Sequence, residues 1–203
     1  MAPSGAAARR RSAARAGHRG DEDTARALVA DPDAAVRSTA LAALARLGRV
    51  RIAEVRAALG DTDPAVRRRA CEVAVAIPAV DLLPLLADGD STVVEVAAWA
   101  LGERGRADGA VVAALAGVAG SHADPLCREA AVAALGAVGH ADGLSAILAA
   151  TADKPAIRRR AVIALAPFDG PEVVAALHRA LDDRDWQVRQ AAEDLLQAGG
   201  EVR

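Results

Sequence analysis

Two heptapeptides, PAVRRRA at 64–70 and PAIRRRA at 155–161, carry three adjacent arginines at matching places 91 positions apart. Guanidinium groups grip phosphate, so nucleic acid is the first chemistry such a run suggests. The other reactive side chains are sparse. Of the four histidines, His18, His122, His140 and His178, none has a second histidine at ligand spacing, and no Cys or carboxylate cluster joins them. No metal site is therefore expected. Ser38, Ser91, Ser121 and Ser145 lie outside any G-x-S-x-G nucleophile turn. A GxxxxGK[ST] phosphate loop is absent, and the only lysine is Lys154. These residues present no catalytic constellation and call for no cofactor, so the chain is expected not to be an enzyme.

The composition sets limits on what could position such residues. The chain is 53% hydrophobic and 26% charged but only 1% aromatic, with a net charge of −2. Its core must be built from Ala, Val, Leu and Ile, and alanine favours helices that pack closely. Residues 1–20 hold Arg9, Arg10, Arg11, Arg15 and Arg19 with no acid, leaving a net of −7 on the remainder. This segment lacks apolar periodicity and is expected to be a disordered basic tail. Cys71 and Cys127 have no CxxC and no metal-ligand neighbours, as in reduced, packed thiols of a cytoplasmic protein. No segment has the apolar run of a membrane span.

Superimposing the heptapeptides exposes a repeat. Six segments align: DPDAAVRSTALAAL (31–44), DTDPAVRRRACEVA (61–74), DGDSTVVEVAAWAL (88–101), HADPLCREAAVAAL (122–135), ADKPAIRRRAVIAL (152–165) and DRDWQVRQAAEDLL (183–196). Their anchor positions, Arg37, Arg67, Val94, Arg128, Arg158 and Arg189, are spaced by 30, 27, 34, 30 and 31 residues. The residue before each anchor is apolar, alanine stands three after it in all six, and Leu or Ala stands seven after it. Offsets −1, +3, +6 and +7 make one stripe of an α-helix. Asp and Pro ahead of each stripe supply an N-cap and a rigid first turn. Between these segments lie further helical patterns at 24–30, 50–59, 80–87, 110–118, 144–150 and 171–181, with glycines where helices should stop.

The pattern D-x-D-P-x-V-R-x-x-A-x-x-A-L, at a period near 30, resembles HEAT repeats of the short bacterial kind, which include those named after phycobiliprotein lyases. The resemblance implies an all-α, right-handed α-solenoid of about six helix–turn–helix repeats over 21–203. The repeats fall at about 21–48, 49–78, 79–105, 106–139, 140–169 and 170–203. It further implies a ladder between successive turns, from Asp31, Asp61, Asp88 and Asp183 to Arg37, Arg67, Arg128, Arg158 and Arg189. His122 and Ala152 depart from the Asp position and Val94 from the Arg position, so an interruption is expected in the middle repeats. Deoxyhypusine hydroxylase, a HEAT-like enzyme, carries paired His-Glu motifs for iron, and this chain has no His-Glu dipeptide.

With the anchor set at 0° and about 100° per residue, the buried stripe centres near 280°, and offsets +1, +5 and +8 face away from it. In the family this side lines the concave groove. The groove residues expected here include Arg68, Glu72, Glu95, Trp99, Glu129, Arg159, Ile163 and Asp194. Within each arginine run the three side chains fan out, so only Arg68 and Arg159 reach the groove, where acids outnumber them. That disfavours phosphate and a nucleic-acid partner. Trp99 suits a protein-binding hot spot, with Ala133, Gly102 and Gly136 leaving room beside it; the competing reading is a cover over alanine surface between repeats. Trp186 is expected to cap the end of the stack.

The expected function is non-catalytic recognition of another protein or peptide through the groove, as a scaffold or adaptor. The alternative is an accessory or lyase-type subunit acting on a partner protein. A DNA-alkylation-repeat-like nucleic-acid binder ranks below both.

Overall fold

The computed structural model describes residues 5–105 and 108–200, all of it helix and connecting turn with no strand. The chain is an all-helical α-solenoid of helix pairs, divided into two compact units, Met1–Ala97 and Ala98–Arg203.

The first unit contains α1 (Ala6–Arg19), α2 (Glu22–Ala27) continued by a 3₁₀ turn at Leu28–Ala30, α3 (Ala34–Arg46), α4 (Ile52–Leu59) and α5 (Pro64–Ala74). A 3₁₀ turn at Leu83–Ala87 then leads into α6 (Ser91–Glu103), inside which the unit boundary falls. Helices α1, α3 and α5 pack side by side in one row, with α2 against α3 and α4 against α5. The second unit holds α7 (Gly109–Ser121), α8 (Pro125–Val138), α9 (Leu144–Ala150), α10 (Pro155–Ala164), α11 (Pro171–Leu181) and α12 (Trp186–Gly200). Here α8, α10 and α12 form the row, while α7, α9 and α11 pack along it.

The repeat stripe is the core. Val36, Ala40 and Leu44 of α3 are fully buried, as are Cys127 and Ala131 of α8, with Ile157 and Leu165 at 1%. Because the stripe is so rich in alanine, backbones approach closely. A Cβ on Gly17 would lie 2.9 Å from Ala43, one on Gly102 2.8 Å from Ala134, and one on Gly136 2.6 Å from Ala164. Counted from each anchor, these are one rule: a glycine at offset +8 faces the alanine at offset +6 of the next second helix. The expectation that Gly102 and Gly136 leave room beside Trp99 is therefore corrected. Their missing side chains are occupied by a neighbouring helix.

Two elements differ from the sequence reading. The basic segment expected to be disordered forms α1 over Ala6–Arg19, closed by Gly20 in the left-handed region at φ 79°. Alanine's helix propensity builds it, and Ala13, Ala16 and Gly17 bury a stripe made entirely of small residues. Ala7, Ala8 and Ala14, which are not buried, are alanine as well, so residue type alone does not set the buried stripe apart. The pattern at 80–87 shortens to a single 3₁₀ turn, in which Pro84 supplies no amide hydrogen.

Candidate interaction face

In the D-x-D turns that open the second helices, each acid has its own task. The second one caps the helix: Val36 N donates to Asp33 at 3.1 Å, Ala65 N to Asp63 at 2.9 Å and Thr92 N to Asp90 at 2.9 Å. The first one folds the turn, accepting the amide two residues on, as Asp31 does from Asp33 and Asp61 from Asp63, both at 2.9 Å.

That first carboxylate also receives an arginine from the preceding second helix. In the first unit Arg9 donates to Asp31 at 2.6 and 2.9 Å, Arg37 to Asp61 at 2.8 and 2.7 Å, and Arg67 to Asp88 at 2.8 Å twice. In the second, Arg128 donates to Asp153 at 2.8 and 3.0 Å and Arg158 to Asp183 at 2.8 and 2.7 Å. All are two-point guanidinium–carboxylate pairs, the geometry that arginine makes and lysine cannot. Arg37, Arg67 and Arg158 each add a bond to the carbonyl of their own turn, at 2.9, 2.8 and 3.0 Å, so one side chain ties two turns together. The hydrogen bonds from these arginines hold the carboxyls of Asp31, Asp61, Asp88, Asp153 and Asp183 below the usual range.

The ladder departs from its sequence outline in three places, at Arg9, Asp153 and Arg189. It begins one helix earlier, at Arg9. At Ala152, Asp153 takes over the carboxylate role from the next position. His122 keeps only the turn-forming half of the task, its Nδ1 accepting from Asp124 N at 3.1 Å. Arg189 donates to the Asp183 carbonyl at 2.7 Å and receives no carboxylate among the described residues. Val94, in the arginine position, is fully buried.

With the first arginine of each triplet in the ladder, the others separate. Arg68 and Arg159 are exposed on the outward face of their helices. Arg69 pairs with Glu72 on its own helix, and Arg160 lies 3.6 Å from Glu129 of α8. Two of the expected groove acids, Glu72 and Glu129, are thus already neighboured by arginine. Glu95 is half-buried, and Trp99 is 44% exposed.

In the second unit, Arg159, Ile163 and Asp194 come together around a shallow pocket of about 220 Å³ between α10 and α12. Gln190 Nε2 donates to Asp194 Oδ1 at 2.8 Å and fixes that carboxylate in the wall. Trp186, expected to cap the end of the stack, instead stands 64% exposed and lines this pocket. The signal was present: offset −3 projects to about 60°, on the same side as +1 and +5. Leu126, at offset −2, is 55% exposed and projects to about 160°. Trp99, Leu126, Ile163 and Trp186 are therefore all outward-facing apolar side chains on second helices of one unit.

Among the described residues no group of three His, Cys, Asp or Glu could hold a metal ion, and Cys71 and Cys127 are buried in the core. No helix of the described residues is long and apolar enough to cross a membrane.

Comparison with known proteins fits this geometry. The sequence profile described as HEAT repeats matches residues 22–89, 79–156 and 141–198. No curated protein shows significant sequence similarity to the chain. Among solved structures, YibA of Escherichia coli is 17% identical with a TM-score of 0.69, the match covering 90% of this chain and 70% of YibA. Human deoxyhypusine hydroxylase is 18% identical with a TM-score of 0.51, covering 98% of this chain and 82% of that one. A designed armadillo repeat protein, solved with the peptide (KR)4, is 17% identical with a TM-score of 0.53, covering 95% and 91%. At these identities the likeness is one of fold.

Proposed function

Because this chain belongs to the HEAT-repeat family, whose profile covers most of its length, we propose that it is a non-catalytic scaffold that recognises another protein through the outward face of its second helices. The observation that carries this reading is the exposure of Trp99, Leu126, Ile163 and Trp186 on second helices of the second unit, with Ile163 and Trp186 lining one pocket. Exposed aromatic and aliphatic anchors rimmed by charge are the composition of binding hot spots. Arg159 and Asp194 beside the Ile163–Trp186 pocket supply both signs of charge, which suits a peptide with one apolar side chain flanked by polar groups. The designed armadillo protein of similar fold is in complex with the peptide (KR)4, which supports a peptide segment as the kind of partner. The proposed setting is the cytoplasm, in keeping with two buried cysteines.

The test is quantitative capture by the full chain, by Trp99→Ala, and by Ile163→Glu with Trp186→Ala. Val174→Asp, on α11 and 45% exposed, is the control on a first helix. Proteins retained by wild type and the control but lost by both face variants support the reading. Recovery of the same proteins by all four chains overturns it.

A further inference from the structure

Helix α1 has a second face, and it concerns a different ligand. Arg11, Arg15 and Arg19 follow one another at four-residue steps, which places them in one row along the helix, about 6 Å apart and about 12 Å from first to last. They border a cleft of about 290 Å³ that Ser12, Asp21 and Thr24 complete. The three arginines are exposed, and among the described residues no carboxylate pairs with them.

The row is held on a fixed platform. Ala13, Ala16 and Gly17 bury the opposite side of α1 against α3, and Arg9 turns away to bind Asp31. Two acids close to the row are committed elsewhere. Asp21 accepts from Thr24 N at 3.0 Å as the cap of α2, while Glu22 binds Arg26 at 2.7 Å. More positive charge stands at the end of α1, where Arg46 Nη1 lies 2.9 Å from His18 Nε2. A rigid line of guanidinium groups without ion-pair partners concentrates anions along its length.

We propose that this cleft is a docking site for an acidic segment of a partner protein, separate from the apolar face of the second unit. About 12 Å is close to the span of five residues of extended peptide, whose alternate carboxylates, about 6.6 Å apart on one face, match the spacing of the three arginines. Ser12 and Thr24 add neutral hydrogen-bonding groups, and no aromatic or large aliphatic side chain lines the cleft, so the ligand is polar. The shortness of the row argues against a duplex, which needs a broad basic surface. Asp21, Glu22 and Asp23 close the row at one end, and the next second helix offers Ser38, Ala42 and Ala45 in place of bases.

The experiment is fluorescence anisotropy of a labelled octaglutamate peptide with the full chain, the Arg11→Gln, Arg15→Gln, Arg19→Gln triple variant, and Arg179→Gln as an exposed-arginine control. Wild type and the control should bind alike, and the triple variant should bind at least about tenfold more weakly. Raising NaCl from about 50 to about 300 mM should weaken wild type severalfold by screening. Helix content and melting temperature check the fold of the triple variant. If either falls, Arg15→Glu alone replaces it and should lose about fivefold. The Ile163→Glu, Trp186→Ala chain should bind octaglutamate as wild type does, so this site and the apolar face fail independently. Equal affinity of wild type and arginine variants overturns the proposal. So does tighter binding of octalysine or of a short DNA duplex.

Discussion

The two units are built on one plan and finished differently. Both stack their second helices through alanine-rich stripes, and both tie successive turns with two-point Arg–Asp pairs. On the outward face they diverge. The first unit carries 14 basic against 13 acidic residues, displays an arginine row on α1, and exposes no large apolar side chain on a second helix. The second carries 11 basic against 14 acidic residues and exposes Trp99, Leu126, Ile163 and Trp186. The repeat explains why this is permitted. Core and ladder consume the anchor and offsets −1, +3, +6 and +7, and the glycines found at +8 serve helix contact. Offsets −3, −2, +1 and +5 lie outside the stripe and the ladder, half-buried or exposed, so each unit can furnish them for its own partner.

If the scaffold is shared, damage to it should cost similar amounts in either unit. Arg158→Ala strands Asp183 and removes a side chain that is only 9% exposed, for a loss of about 3 kcal/mol. Arg37→Ala should lose about 2 kcal/mol, its pair being somewhat more exposed. Chemical denaturation measures both, and a negligible loss for Arg37→Ala alone would show that the ladder matters in only one unit. Gly136→Ala forces a Cβ to within 2.6 Å of Ala164 and should cost about 2 kcal/mol by overpacking. Gly117→Ala, where a Cβ meets nothing within 4 Å, should instead be neutral or slightly stabilising.

Acid should act on both units together. Each ladder carboxyl is depressed in the folded chain, so its contribution is complete above the unfolded value of about 3.9 and fades as pH falls through the folded values. The melting temperature is expected to hold from neutrality to about pH 5 and then drop steeply below about pH 4. Arg37→Ala with Arg158→Ala should flatten that drop. The smallest effect belongs to the outward face, where Trp99→Ala, Ile163→Glu and Arg15→Gln should each change stability by less than about 1 kcal/mol while altering what binds. A larger loss from Trp99→Ala would make it a cover over alanine surface and weaken the contrast between units.

Much of this was legible in the residues. Offsets −1, +3, +6 and +7 around each anchor marked the buried stripe, and the D-x-D-P turn marked the helix starts, because caps and periodicity are properties of a few neighbouring residues. The Ala152–Asp153 pair shows where that reading fails. One position of slippage in a turn cannot be seen in an alignment of types, yet a guanidinium reaches either residue. Trp186 was hidden by a boundary: as the first residue of α12 it reads as turn, although it already points with the helix.

By itself the sequence determined the period, the helix starts, the composition of the core and the absence of metal and nucleophile motifs. Each of these is set by spacing within one helix and turn. Only the tertiary structure decided that α1 joins the stack, that glycine at +8 is a contact, and that Arg9 and Asp153 belong to the ladder. Those depend on the distance between one second helix and the next, which alanine and glycine fix through close packing and which no periodicity within a helix records.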